Sequence, residues 1–171
     1  MKAVNDNKGT PMAKGLNILL VVAMVIMSIA ILLLLGVSLF FMTNSAASAE
    51  FLKELAETNQ KVNAANPFIA IIGAAIIGAM WLAVLNILRK IVGTLLAGNP
   101  FVSDNISRLR TMWIIIALSE IMRIILVNAS SAGEMIIDLR AGTIFLVFVI
   151  AALSEVFRHG AELRRYTELT I

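Results

Sequence analysis

Leu96-Ala-Gly-Asn-Pro-Phe-Val-Ser-Asp-Asn-Ile-Ser-Arg-Leu-Arg110 is a short polar stretch between two long apolar runs, and it reads as a turn joining two helices. Gly98 can adopt the left-handed conformation that closes a helix, and Pro100 cannot continue one. Ser103 is a favourable N-cap, and Asp104 falls in the first turn, where the helix dipole stabilises a carboxylate. Arg108 and Arg110 then lead into Trp113 and the apolar run Ile114-Ile115-Ile116. A turn collared by arginines in this way belongs at a membrane surface, its cations marking the cytoplasmic side.

Composition outside the turn agrees. Of the 171 residues, 60% are hydrophobic, and the mean hydropathy is +0.92. Soluble domains seldom exceed about half apolar. Once the apolar runs are set aside, no remaining piece is long enough to bury a core, which argues against a separate catalytic or DNA-binding domain. The net charge of +3 resides in residues flanking the apolar runs, so it predicts a membrane topology rather than direct binding to nucleic acid.

Residues 1–15 are polar, carry Lys2, Lys8 and Lys14, and read as a cytoplasmic tail. Residues 16–42 contain no charge. At 1.5 Å per residue they reach about 40 Å, enough to cross a hydrocarbon core of about 30 Å with tilt. Ala47-Ser48-Ala49 before Glu50 resembles a signal-peptide cleavage site, but the apolar run is about twice the usual 7–15 residues, which favours an uncleaved span. Residues 43–66 form an outer loop in which Phe51, Leu52, Leu55 and Val62 recur at helical spacing among charges. That pattern predicts an interfacial extension of the first helix, or less simply a sensing loop.

The second span is 67–96, opened by Asn66-Pro67. Ala70, Ala74 and Gly78 lie four apart, the stripe that lets membrane helices approach closely. It predicts packing inside the bundle or against another copy. The elbow occupies 97–110, the third span 111–128, an outer loop 129–140, the fourth span 141–157 and a tail 158–171. Ten lysines and arginines fall on the side of the tails and elbow: Lys2, Lys8, Lys14, Arg89, Lys90, Arg108, Arg110, Arg158, Arg164 and Arg165. Only Lys53, Lys61 and Arg140 fall on the other side. The expectation is an all-α membrane protein, a bundle of four transmembrane helices with both termini in the cytoplasm.

Chemistry-bearing residues are few. There is no cysteine and one histidine, His159, so the sequence predicts no metal site, cofactor or catalytic centre. Ala117-Leu-Ser-Glu-Ile-Met-Arg123 returns as Ala152-Leu-Ser-Glu-Val-Phe-Arg158, each copy setting Glu and Arg three apart on one helix face. Glu120 falls about 14 Å beyond Thr111 by helix rise, near the bilayer centre. An ionised side chain there is costly unless paired or hydrated, so Glu120 and Arg123 are expected to face the protein interior, as a structural pair or as part of a transport path. Glu155, within a turn of the cytoplasmic end, predicts a salt bridge to Arg158 or to the elbow arginines, Arg108 and Arg110.

Two segments resemble a known family. Gly98-Asn-Pro-Phe-Val-Ser-Asp-Asn-Ile-Ser-Arg-Leu-Arg110 is similar to the GNPF-x-x-x-N-x-x-R-L motif of the bacterial membrane family called domain of unknown function 2975. Leu153-Ser-Glu-Val-Phe-Arg-His-Gly-Ala-Glu-Leu-Arg164 is similar to its L-x-E-x-F-R-x-G-x-x-L motif, and Glu168-Leu-Thr-Ile171 to its usual ending. Tyr166-Thr167 stands where that family carries more acidic residues.

The resemblance implies a four-helix protein of the bacterial inner membrane. Its members are often encoded beside a small Cro/CI-type helix-turn-helix regulator, which implies a partner of that kind. By charge counting both segments face the cytoplasm. Asn99, Pro100, Phe101, Asn105, Arg108, Arg110, Glu155, Phe157, Arg158, Gly160 and Leu163 therefore form either a docking surface or a latch between spans. The functional expectation is a non-enzymatic membrane protein acting through partners, anchoring or restraining such a regulator. The alternative is a small oligomeric channel or transporter using Glu120 and Arg123.

Overall fold

The computed structural model describes residues 11–58, 67–98, 101–130 and 139–168. They form five helices: α1 Pro11–Thr43, α2 Ser45–Thr58, α3 Pro67–Leu96, α4 Ser103–Ser130 and α5 Ala141–Glu168. All but α2 are long and apolar enough to cross a membrane. Along α1, Leu19, Val22, Ile26, Ile29 and Leu33 are all more than half exposed. So continuous an apolar face is stable only against lipid or another apolar surface.

The helix ends follow from local chemistry. α1 starts at Pro11, earlier than a polar tail through residue 15 suggests. Proline at the first helical position sacrifices no hydrogen bond, and its φ suits the helix. The Asn44 N–H donates to the Phe40 carbonyl (3.0 Å), and its Oδ1 accepts from the Ala47 N–H (3.2 Å). One asparagine thus ends α1 and caps α2.

At the end of α3, Gly98 has φ 72° and donates its N–H to the Leu95 carbonyl (3.0 Å). This left-handed closure is one that glycine adopts without steric cost. α4 begins one residue off the capping expectation. The Asn105 N–H donates to the Val102 carbonyl (3.0 Å), so Val102 holds the N-cap place and Ser103 is the first helical residue. α5 does not stop at the polar tail. It continues as helix to Glu168, 28 residues in all.

α1 packs on α3, α3 on α4 and α4 on α5, so the bundle is built as a row with α1 and α5 at its edges. Two α3–α4 contacts fix an antiparallel register. Thr94 bonds Asn105, and Gly73 abuts Leu126, so Arg89 lies level with Arg110. Two α4–α5 contacts do the same: Ser154 Oγ donates to the Ile106 carbonyl (3.5 Å), and the Arg140 N–H to Glu120 (3.3 Å). The best-buried cluster is Val84, Ile91, Leu109, Met112, Ile116 and Ile150. It lies in the half of the bundle nearest the elbow.

Candidate functional site

Two junctions bring together the residues that chemistry singles out. The first is at the basic end, where the elbow meets α5. Phe101, just past the closing glycine, lays its ring 5.4 Å from that of Phe157, tilted by 50°. This is within the range of a favourable aromatic pair. The same ring covers Gly160: a Cβ there would stand 2.8 Å from both Cδ1 and Cε1 of Phe101. Glycine is required at 160 by close approach, not by backbone conformation. The two family-like segments therefore touch.

Below that aromatic contact lies a polar bridge. Asn105 is 0% exposed. Its Nδ2 donates to Thr94 Oγ1 (2.6 Å), whose own proton goes to the Ile91 carbonyl (2.6 Å), and its Oδ1 accepts from Arg108 Nη1 (2.9 Å). Arg108 also lies 3.9 Å from Asp104. This chain ties the last turn of α3 to the first turns of α4. No buried polar side-chain atom lacks a partner among the described residues, as burial of an amide demands.

Among the described residues Glu155 makes no contact that ties α5 to the elbow. It pairs with Arg158 on its own helix and lies 3.4 Å from His159. Its side chain is 53% exposed, so the pair is a surface feature worth little. Aromatic packing and the Ser154 hydroxyl join α5 to the elbow instead. Arg110 and Leu163 are exposed. Asn99 and Pro100 lie outside the described residues. From Gly160, level with Phe101, α5 runs on for eight residues, about 12 Å past the elbow. Leu163 and Tyr166 are two of its most exposed apolar side chains there.

The second junction is at Glu120. One carboxylate oxygen, Oε1, accepts from Arg123 Nη2 (2.7 Å), Arg123 Nε (3.2 Å) and the Arg140 N–H (3.3 Å). Arg140 is the N-cap residue of α5, because its carbonyl accepts from the Thr143 N–H (2.9 Å) and the Ile144 N–H (3.2 Å). Glu120 therefore caps α5 from a different helix, supplying an acceptor to an N–H that has none within the helix and a negative charge to the dipole. Both side chains of the Glu120–Arg123 pair are largely buried, at 11% and 14% exposure. The equivalent Glu155–Arg158 pair is about half exposed, so one repeated pattern serves two environments. α5 begins level with Glu120, ten residues or about 15 Å short of the far end of α4.

The small-residue stripe divides. Gly78 faces α1, where a Cβ would stand 3.1 Å from Ile31 Cγ1, while Ala74 is exposed. The side chain of Ala70 lies outside the described set. Gly73, off that stripe, makes the closer approach, against Leu126 of α4. Thr94, Ser154, Gly73 and the Arg140 N–H carry no sequence signal for their roles. Each matters through a partner that only the packing supplies. Among the described residues no group of three or more histidines and carboxylates is placed to hold a metal. No protein-family profile matches the chain, and neither a curated protein nor a solved structure matches it.

Proposed function

We propose that this multi-pass membrane protein is non-enzymatic and acts through a partner at its basic end, the end that charge counting assigns to the cytoplasm. The partner is a small helix-turn-helix transcription regulator, which the protein anchors or restrains. The observation that carries this reading is the seating of Phe101 on Phe157 and Gly160. It joins the two segments that resemble domain of unknown function 2975 into one surface. The same contact leaves the end of α5 projecting beyond the elbow with Leu163 and Tyr166 exposed. Latch and docking surface are then one structure: the latch sets the angle at which α5 is presented.

The transport alternative gains no support from Glu120, whose Oε1 is already committed to three donors. A proton- or ion-carrying carboxylate needs to exchange partners.

The test is affinity isolation of the full chain from native membranes, with identification of co-purifying small DNA-binding proteins. A helix-turn-helix protein recovered with the wild type and lost from both Leu163→Asp and Gly160→Leu supports the reading. Leu163→Asp alters only an exposed side chain, so its loss is not a folding defect. No such protein in the wild-type isolate contradicts it.

A further inference from the structure

We infer that a second copy of this chain covers the open face of α3, the two copies meeting through Asn86. This contact is independent of any partner at the basic end. Asn86 is exposed, and among the described residues its amide has no hydrogen-bond partner. The α3–α4 register sets it level with Trp113, about 4.5 Å nearer the bilayer centre than Arg89. Side chains tilt toward a helix N-terminus, so the amide is directed away from the basic end and into the apolar zone. An amide left alone there is costly.

Asn86 belongs to a seam. Ile76, Ala79, Ala83, Asn86, Lys90 and Gly93 follow alternating steps of three and four residues, the spacing along which two helices pair. All are exposed except Ala83, which is half-buried. Gly73, against Leu126 of α4, and Gly78, against Ile31 of α1, lie about 110° to either side of this line around the helix. Trp81 and Leu88, on the opposite side, pack on the core. The seam therefore points away from both helices that flank α3.

Its chemistry differs from that of the other open faces. Those are bulky and wholly apolar: Leu19, Val22, Ile26 and Ile29 on α1, and Ile114, Leu118, Ile121 and Ile125 on α4. The α3 seam carries alanines, a glycine and an amide in their place. At Gly93 an added Cβ would meet nothing within 4 Å, so no contact inside the chain calls for glycine there. Small residues let membrane helices approach closely, and an amide can then bond across the interface. A second copy is the occupant that matches. Copies inserted with one orientation run parallel, and a twofold axis sets Asn86 against Asn86. The carboxamide is self-complementary, since each Oδ1 can accept from the other copy's Nδ2. Lys90 stands one turn toward the basic end, where its long side chain reaches water.

The chain has no cysteine, so single introduced thiols in the full chain test the contact in native membranes. Ala79→Cys and Ala83→Cys should form disulfide-linked dimers on mild oxidation, which requires the paired Cβ atoms to come within about 4.5 Å. Leu118→Cys, exposed on α4 and level with Trp81 by the same register, should not. Association is then measured by energy transfer between donor- and acceptor-labelled pools of Glu162→Cys protein in vesicles of increasing lipid content. Asn86→Leu should weaken it about fivefold, whereas Asn86→Gln should retain it. The amide touches no polar group of its own chain, so the weakening is not a folding defect. Absence of dimers at both seam positions overturns the proposal. Equal cross-linking of Leu118→Cys overturns it as random collision, and unchanged association of Asn86→Leu overturns it by removing the amide from the interface.

Discussion

Removing the Glu120 carboxylate should be among the most costly single changes in the chain. Glu120→Ala takes the Glu120 carboxylate from the largely buried Arg123 guanidinium and the carboxylate acceptor from the Arg140 N–H. Breaking a buried ion pair on one side costs about 3–5 kcal/mol, and loss of a helix cap adds about 1 kcal/mol. Glu120→Gln keeps a carbonyl oxygen for the same donors but gives up the charge, so it should cost about 2 kcal/mol. Glu120→Leu/Arg123→Leu removes both charges of the pair and takes the acceptor from the Arg140 N–H, at about 1–3 kcal/mol.

The order of stability is therefore wild type, then the glutamine and double-leucine variants, with Glu120→Ala last. The double variant should be more stable than the alanine single. Titration of a denaturing detergent into lipid micelles holding the purified protein, followed by far-ultraviolet circular dichroism, measures the differences. The trans-cap account fails if Glu120→Ala falls within about 0.5 kcal/mol of wild type, the range of ordinary surface changes. It fails equally if the double variant is less stable than Glu120→Ala.

Two further outcomes rest on single contacts. Asn105→Leu removes the donor to Thr94 and the acceptor for Arg108 at a fully buried position and should cost about 2 kcal/mol in the same titration. Thr94→Val in that background should add little, since the two share one bond. Gly78→Leu should press on Ile31 and loosen α1 from α3, at about 1–3 kcal/mol. Its effect should appear as loss of stability at every protein concentration. An effect that vanished on dilution would place Gly78 in a contact between copies instead.

The sequence made the helices legible because each is an apolar run long enough to span, punctuated by residues with one structural meaning: Pro67, Gly98 and Pro100. Where the punctuation was ambiguous, the boundaries moved. Polar residues after Phe157 suggested an end, yet none of Arg158 to Glu168 is a proline, and the single Gly160 does not stop a helix. Ser103 and Val102 exchanged capping roles because the backbone hydrogen bond, rather than the side chain, sets the first turn.

Pairs within one helix, such as Glu120–Arg123 and Glu155–Arg158, were readable from spacing alone. Pairs between helices were not. Register decides that Phe101 meets Gly160, that Thr94 meets Asn105 and that Glu120 reaches the start of α5, and register is a property of packing. Of the two salt bridges open to Glu155, to Arg158 or to the elbow arginines, it makes the one to Arg158, the i,i+3 arginine already within reach on the same helix.

The central claim is that the helices cross the bilayer with the elbow and both chain ends on one side. The chain has no cysteine, so a single introduced thiol reports its own location without background. Ser48→Cys, Ser103→Cys and Glu162→Cys proteins in intact cells, probed with a membrane-impermeant maleimide, test this most directly. Labelling of position 48 in intact cells, and of positions 103 and 162 only after permeabilisation, is the predicted result. Labelling of either 103 or 162 in intact cells contradicts the topology, and with it the placement of the docking surface beside cytoplasmic partners.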